Sequence, residues 1–429
     1  MTKTDAPLAP SRTSDTRAVP GRLRLHYLDG MRGLASLYVV LHHVLMETIQ
    51  GPESRLATEA FPGLFFLMHG EIAVAVFIVL SGYCLMLPLA ASGRPGGEGN
   101  PATSTMARAS VTRFMARRAR RILPPYYAAL GLTLALVWLT PSLQQPRGVR
   151  WDAALPALTP GPIWSHLALL HNWNPAWIGT INPPMWSVAV EWQIYFLFPL
   201  LLAPLWKRGG LMPLVLAGLT LGLCPLILFR ATSGLRWTCP WYVSLFAFGM
   251  AAAALSFARR DSNGSAAEPF WERTTWWGLL ACLLLAGPAA AVTLGSLAPR
   301  LPRIPGDLLL GAGTACLLIY CTRRRLAAGE NKHAGGLLLR FFEAPLLVKV
   351  GVFSYSLYLL HFPVLSALHL LLEPLHLSLG QTLLTLMVGG VAVSLLLAYG
   401  FHCLFERPFL NAPASKRSAR EPTATTPAA

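Results

Sequence analysis

The chain has 429 residues, 54% of them hydrophobic and only 13% charged, with a mean hydropathy of +0.49. A soluble domain carries about 25% charged residues, so a soluble fold is excluded and an integral membrane protein is expected. The net charge of +16 does not require nucleic acid as a partner, because membrane topology accounts for where the basic residues lie.

Residues 1–26 are rich in Pro, Arg, Ser and Thr and hold no apolar run of the kind a signal peptide needs. They read as a disordered cytoplasmic tail, with a second such tail at 411–429. Between the tails, ten apolar segments are long enough to span or nearly span a bilayer: about 33–50, 64–90, 121–140, 184–206, 211–229, 239–257, 275–297, 306–322, 346–372 and 379–404. The expectation is one all-α polytopic membrane domain over 27–410, a single bundle of about ten transmembrane helices embedded in lipid. No internal repeat is visible. The stretch 153–171 is apolar but interrupted by proline, and reads as a loop with a short interfacial helix. With the N-terminus in the cytoplasm, 91–120, 207–210, 258–274, 323–345 and the C-terminal tail fall on the same side. All but seven of the 35 Lys and Arg then lie there, the exceptions being Arg55, Arg147, Arg150, Arg230, Arg236, Arg300 and Arg303. That asymmetry predicts a multi-pass protein of the inner or plasma membrane with both termini cytoplasmic. Cys84, Cys224, Cys239, Cys282, Cys316, Cys321 and Cys403 lie mostly within apolar runs without paired spacing, so neither a zinc site nor any other metal site is expected.

The first span opens on LDGMRG and ends near LHH. Arg32 and His43 are eleven residues apart, about 1100° on a helix, so they share a face with Asp29 nearby. The rise between them is about 16 Å, roughly half of a hydrocarbon core about 30 Å thick. With Arg32 at the membrane surface, His43 falls near the midplane, where an ionisable group is costly and marks function. The plainer reading is an ordinary span whose histidine bonds a neighbour. Glu191 is a carboxylate inside an apolar span, fit for a catalytic or orienting role or for partnership with an intramembrane His or Arg. Ser81 and Ser187 can donate to an oxyanion or simply pack helices. His361, with Tyr355 and Tyr358 beside it, suits a structural hydrogen bond as well as catalysis. The loop 141–183 carries Trp151, Trp164, Trp173 and Trp177 with His166 and His171, and Trp186 follows. These tryptophans form an interfacial belt or a stacking surface for a sugar or macrocycle.

Taken in order, six motifs resemble membrane acyltransferase family 3, which includes bacterial O-antigen and macrolide O-acyltransferases. They are LDGMRG…LHH with Arg32 and His43; VFIVLSGYCL with Ser81 and Gly82; RRARRILPPYY with Arg118, Arg121 and Pro124; PPMWSVAVEWQIYFLFPLL with Trp186, Ser187, Glu191, Tyr195 and Pro199; SYSLYLLHFPVL with Ser354, Tyr355, Tyr358, His361 and Pro363; and FERPF with Glu406 and Pro408. The resemblance covers about 25–410. Trp192 departs from it, standing where many members carry a second acid after Glu191.

The resemblance implies transfer of an acyl group, most commonly acetyl, from cytoplasmic acyl-CoA to a hydroxyl of a cell-surface glycan or a glycosylated natural product such as a macrolide. Acyl-CoA is then a co-substrate, and no permanently bound cofactor is implied. A sugar hydroxyl needs a neutral imidazole to take its proton, and burial keeps an imidazole neutral. That gives His43 the role of base, while His42, about 100° away on the helix, is the second candidate. Arg32 with Asp29 is either a helix-entry ion pair or part of the site, binding CoA phosphate or holding its geometry. Arg113, Arg117 and Arg120 are accounted for by topology alone; Arg118 and Arg121, three apart on one face, are the phosphate contacts for the 3′-phospho-ADP end. Without a fused esterase-like domain, the chain is expected to act alone or to hand over to a separate periplasmic or extracellular transferase. A proton-coupled transporter or flippase of a lipid-linked sugar or acylated metabolite would use the same buried His and Glu. The six ordered motifs favour the enzyme.

Overall fold

The computed structural model describes residues 25–49, 62–91, 103–146, 150–228, 233–257, 274–293, 303–329 and 335–410. Apart from Leu25 and His26, both expected tails lie outside them. No strand occurs among the described residues, as a bilayer demands of a chain that does not close into a barrel, since each helix satisfies its own backbone.

Ten long helices correspond to the ten expected spans: α1 (His26–Thr48), α2 (Glu71–Ala91), α3 (Thr103–Leu139), α4 (Met185–Gly209), α5 (Leu211–Leu228), α6 (Tyr242–Ser256), α7 (Thr274–Thr293), α8 (Arg303–Ala328), α9 (Ser354–Leu372) and α10 (Leu379–Phe409). Eight segments are long and apolar enough to cross a membrane by composition. Of the other two, α1 carries Asp29, Arg32 and Glu47 in its 23 residues and α7 is a shorter apolar helix over Thr274–Ala286, so eight of the ten expected spans meet that measure among the described residues. The chain is a multi-pass membrane protein. Alternate helices run up and down, so Arg32, Arg118 and Arg121 share one end of the bundle, called here the near end.

Two boundaries differ from the sequence reading. The third helix starts at Thr103, not near 121, so its basic first half continues the span as one 37-residue rod rather than a loop. The expected span 346–372 is two helices, Pro345–Val352 and Ser354–Leu372, broken at Phe353. The first of these packs along the near half of α1. The loop between α3 and α4 contains the expected short helix, Pro160–Leu167.

At the centre, α6 packs against α2, α5 and α8. Gly82 and Gly249 let α2 and α6 approach closely: a Cβ on Gly82 would stand 2.1 Å from the Phe246 carbonyl oxygen, and one on Gly249 2.0 Å from that of Val79. In lipid, where no hydrophobic drive joins helices, such small residues let backbones touch. This explains the glycine in SGY without any catalytic role.

In the loop between α3 and α4, His166 and His171 are fully buried and stack with ring centroids 3.8 Å apart. His166 Nδ1 donates to the Pro162 carbonyl at 2.8 Å. Burial lowers the His166 pKa from 6.5 to about 4 and lowers His171 well below its usual value, with His166 adding to the effect. The unfolded loop therefore binds protons that the folded loop refuses. Its stability is full above pH 6.5 and declines as pH falls toward about 4. Hydrogen exchange over 160–183 is expected to speed up across that window, and less so in a His166→Phe/His171→Phe double variant. A flat wild-type profile would refute the coupling.

Candidate active site

The near half of the bundle encloses a cavity of about 260 Å³ walled by α1, α2, α3, α4 and α9. Its lining gathers Arg32, Ser81, Arg118, Arg121, Ser187, Glu191, Tyr195, Ser354, Tyr355 and Tyr358, all of them named in the sequence motifs. Along α2 it reaches from Leu85 to Val74, eleven residues or about 16 Å of rise. It is a well as deep as the separation of Arg32 from His43.

The near end of the well is cationic. Arg32 pairs with Asp29 at 3.2 Å and donates to Cys84 Sγ at 3.0 Å. Arg118 lies over the Phe114 ring, 5.8 Å from guanidinium carbon to centroid, and its buried Nε has no hydrogen-bond partner. A buried guanidinium N–H without a partner is an unsatisfied donor beside the cavity. Arg121 is exposed beside it.

Deeper in the well, hydroxyls take over. Ser81 Oγ lies 2.8 Å from Tyr195 Oη, which donates to Glu191 at 2.5 Å, so one hydrogen-bonded column ties α2 to α4. Across from it, Tyr358 Oη lies 2.6 Å from Ser187 Oγ and 2.9 Å from the Pro184 carbonyl, tying α9 to α4. Tyr355 donates to the Ile122 carbonyl of α3 at 3.1 Å. Glu191 has a tyrosine as its hydrogen-bond partner, and it shares the well with Arg32 and Arg118, cations of the kind offered as its alternative. Trp192 lies outside the lining and packs edge-on against Phe196, 5.5 Å between centroids. Trp186 is outside it too, tilted against Tyr242.

The histidines sit behind this wall. His43 does not line the well. Its Nδ1 lies 2.9 Å from the Val39 carbonyl and 3.2 Å from Nε2 of His361, which is fully buried. Tyr358, a wall residue, packs on His361 with centroids 5.8 Å apart, so it is shared between the well and the histidine pair. On its far side His43 meets Phe362 edge-on, and Phe362 in turn stacks on Trp151 from the loop. His42 turns away and bonds the Leu67 carbonyl at 2.6 Å.

Two buried carboxylates complete the interior. Glu47, 1% exposed, accepts from Ser366 and lies 3.2 Å from His369, both on α9. No motif flagged it, although its position four residues after His43 puts it on the same helix face. Glu406 accepts from Ser356 at 2.5 Å and from His402 at 2.8 Å. A π-helical turn, His402–Glu406, carries both of its own ends into that cluster.

A family model described as an acyltransferase domain matches residues 25–403. Acyltransferase MdmB of Streptomyces mycarofaciens is 28% identical over 183 residues, 42% of this chain and 40% of its own length. The putative peptidoglycan O-acetyltransferase YrhL of Bacillus subtilis (strain 168) is 26% identical over 201 residues, 44% of this chain and 25% of its own length. Less than half of either relative is therefore aligned. No solved structure matches.

The Glu47 cluster and the His43–His361 contact are successive rungs between α1 and α9. Replacing Glu47→Leu leaves Ser366 and His369 without their acceptor, at about 1–3 kcal/mol for buried groups of this kind. A lowered melting midpoint in detergent is expected, with a smaller further loss when Ser366→Ala is added. An unchanged midpoint would remove the rung from the account of stability.

Proposed function

This chain belongs to the acyltransferase 3 family of membrane O-acyltransferases, and from that premise we propose that it moves a short acyl group from acyl-CoA to a hydroxyl. Acetyl is the leading acyl group, and a glycan or a glycosylated small molecule the leading acceptor. The observation that carries the proposal is the well itself, with Arg32, Arg118 and Arg121 at its mouth and the Ser187–Tyr358 hydroxyl pair and Glu191 inside. Basic residues also crowd the near end elsewhere, at Lys207, Arg208, Arg323, Arg324 and Arg325. By the positive-inside rule that end is cytoplasmic, where acyl-CoA is found, and both termini lie on that side.

In this reading Arg118 and Arg121 hold the phosphates of the CoA nucleotide by charge-assisted hydrogen bonds. The thin thioester arm extends up the well and brings its carbonyl to the level of Tyr358. A hydroxyl attacks a thioester only if its proton is removed as it does so. His43 takes that proton while the new C–O bond forms. Hydroxyls of Ser187 and Tyr358 are placed to donate to the tetrahedral oxyanion. Collapse breaks the C–S bond, and the CoA thiolate leaves with the proton returned by His43, so no net proton is consumed. Glu191 holds Tyr195, and through it Ser81, keeping that wall of the well in place. Arg32, anchored by Asp29 and Cys84, adds positive charge at the mouth of the well.

Membranes containing equal amounts of wild type, His43→Ala and Arg118→Ala/Arg121→Ala would be incubated with radiolabelled acetyl-CoA and a panel of glycan and macrolide acceptors. Wild type is expected to label one acceptor class. Loss of the base should cost about 100-fold or more in turnover, whereas the double arginine variant should mainly raise KM for acetyl-CoA. Absence of transfer by wild type from any acyl-CoA, short or long, would overturn the proposal.

A further inference from the structure

A neutral imidazole carries one N–H, and a carbonyl oxygen can only accept. His361 Nδ1 lies 3.1 Å from the Leu357 carbonyl, one turn back on α9. That nitrogen therefore bears the proton, and Nε2 is bare. His43 Nδ1 lies 2.9 Å from the Val39 carbonyl, one turn back on α1, so it too bears the proton. The same His43 N–H faces the bare His361 Nε2 at 3.2 Å. Two helix carbonyls thus set both tautomers, and the protons follow from the partners. The one ring nitrogen of the pair left without a partner of its own is His43 Nε2.

From this we infer that His361 is a positioning residue that works through His43 in a histidine dyad. Its bare Nε2 shares the Nδ1 proton of His43 and holds that ring with Nε2 as the base. The inference rests on the reading of His43 as the base of an acyltransferase. When the attacking hydroxyl gives its proton to His43 Nε2, the ring becomes cationic and its Nδ1–H a stronger donor. The bond to His361, neutral in the resting state, then becomes charge-assisted and stronger. That bond stabilises the protonated base only while charge is present, which lowers the barrier rather than tightening substrate binding. The proton on Nε2 passes to the departing thiolate, and the Nδ1 proton stays within the dyad. An imidazole serves here where a carboxylate holds the histidine of a catalytic triad. A neutral acceptor needs no counter-charge, which matters at a depth where an unpaired carboxylate would be costly. His361 is fully buried, packed between Tyr358 and His43.

The test compares His361→Leu, His361→Met and His361→Gln with wild type and His43→Ala, all purified in detergent and assayed with acetyl-CoA and the acceptor found active. Leu and Met fill the space without an acceptor, and using both guards against one misfolding. Gln offers an amide oxygen in place of Nε2. The expected result is a fall in kcat of about 10- to 100-fold for Leu and Met, the worth of one hydrogen bond to a charged group, at unchanged KM for acetyl-CoA. Gln should recover most of that loss, and all three variants should melt together. Equal kcat in the Gln and the apolar variants, or a change confined to KM, overturns the dyad while leaving the acyltransferase reading intact. Full activity in His43→Ala overturns the base assignment and the dyad with it.

Discussion

A bilayer offers buried polar groups no water, so every one that leaves the surface must find its partner inside the protein. That constraint organises this molecule around α1. Four residues on this helix, Asp29, Arg32, His43 and Glu47, would each be expensive in hydrocarbon. Each has a partner within reach: Asp29 and Arg32 in one another, Arg32 again in Cys84 of α2, His43 in His361 of α9, Glu47 in Ser366 and His369 of α9. The helix is therefore held in register by its own polar side chains, and that register fixes where His43, the proposed base, stands.

The same rule builds the walls of the well. Ser81–Tyr195–Glu191 joins α2 to α4, Ser187–Tyr358 joins α4 to α9, and Ser356–Glu406–His402 joins α9 to α10. Each cluster satisfies polar atoms and ties two spans at once. The well lies in the space these ties enclose, with loosely partnered arginines left at its mouth. Arg118 departs from that rule at the well, since its buried Nε is one of several side-chain atoms among the described residues that have no hydrogen-bond partner.

Tyr358 occupies the decisive position. It is at once a wall of the well, a hydrogen-bond partner of Ser187, and the neighbour of His361. The donor space and the proposed base meet across this one ring. Tyr358 thereby joins the well to the histidine pair, a placement that the tyrosine repeat in SYSLY does not reveal by its spelling.

Composition pointed to a membrane protein, because 13% charged residues is about half the usual share of a soluble domain, and the length of the apolar runs made it helical. Helical arithmetic put Arg32 and His43 on one face about 16 Å apart, and motif order was enough to name the family. Local patterns could do this because hydropathy and helical period are properties of single segments. Other features depend on how segments meet, and tertiary structure decided those. The partner of Glu191 proved to be a tyrosine of its own helix, and Arg118 and Arg121 came to share a cavity with Glu191 from another span. Trp186 and Trp192 were left outside that cavity, and the break at Phe353 divided one expected span into two helices. Glu47 stood in plain view four residues after His43, yet its purpose rests on Ser366 and His369, more than 300 residues away along the chain. The hydrogen-bond partner of a buried side chain is a fact about neighbouring helices, and no single segment carries it.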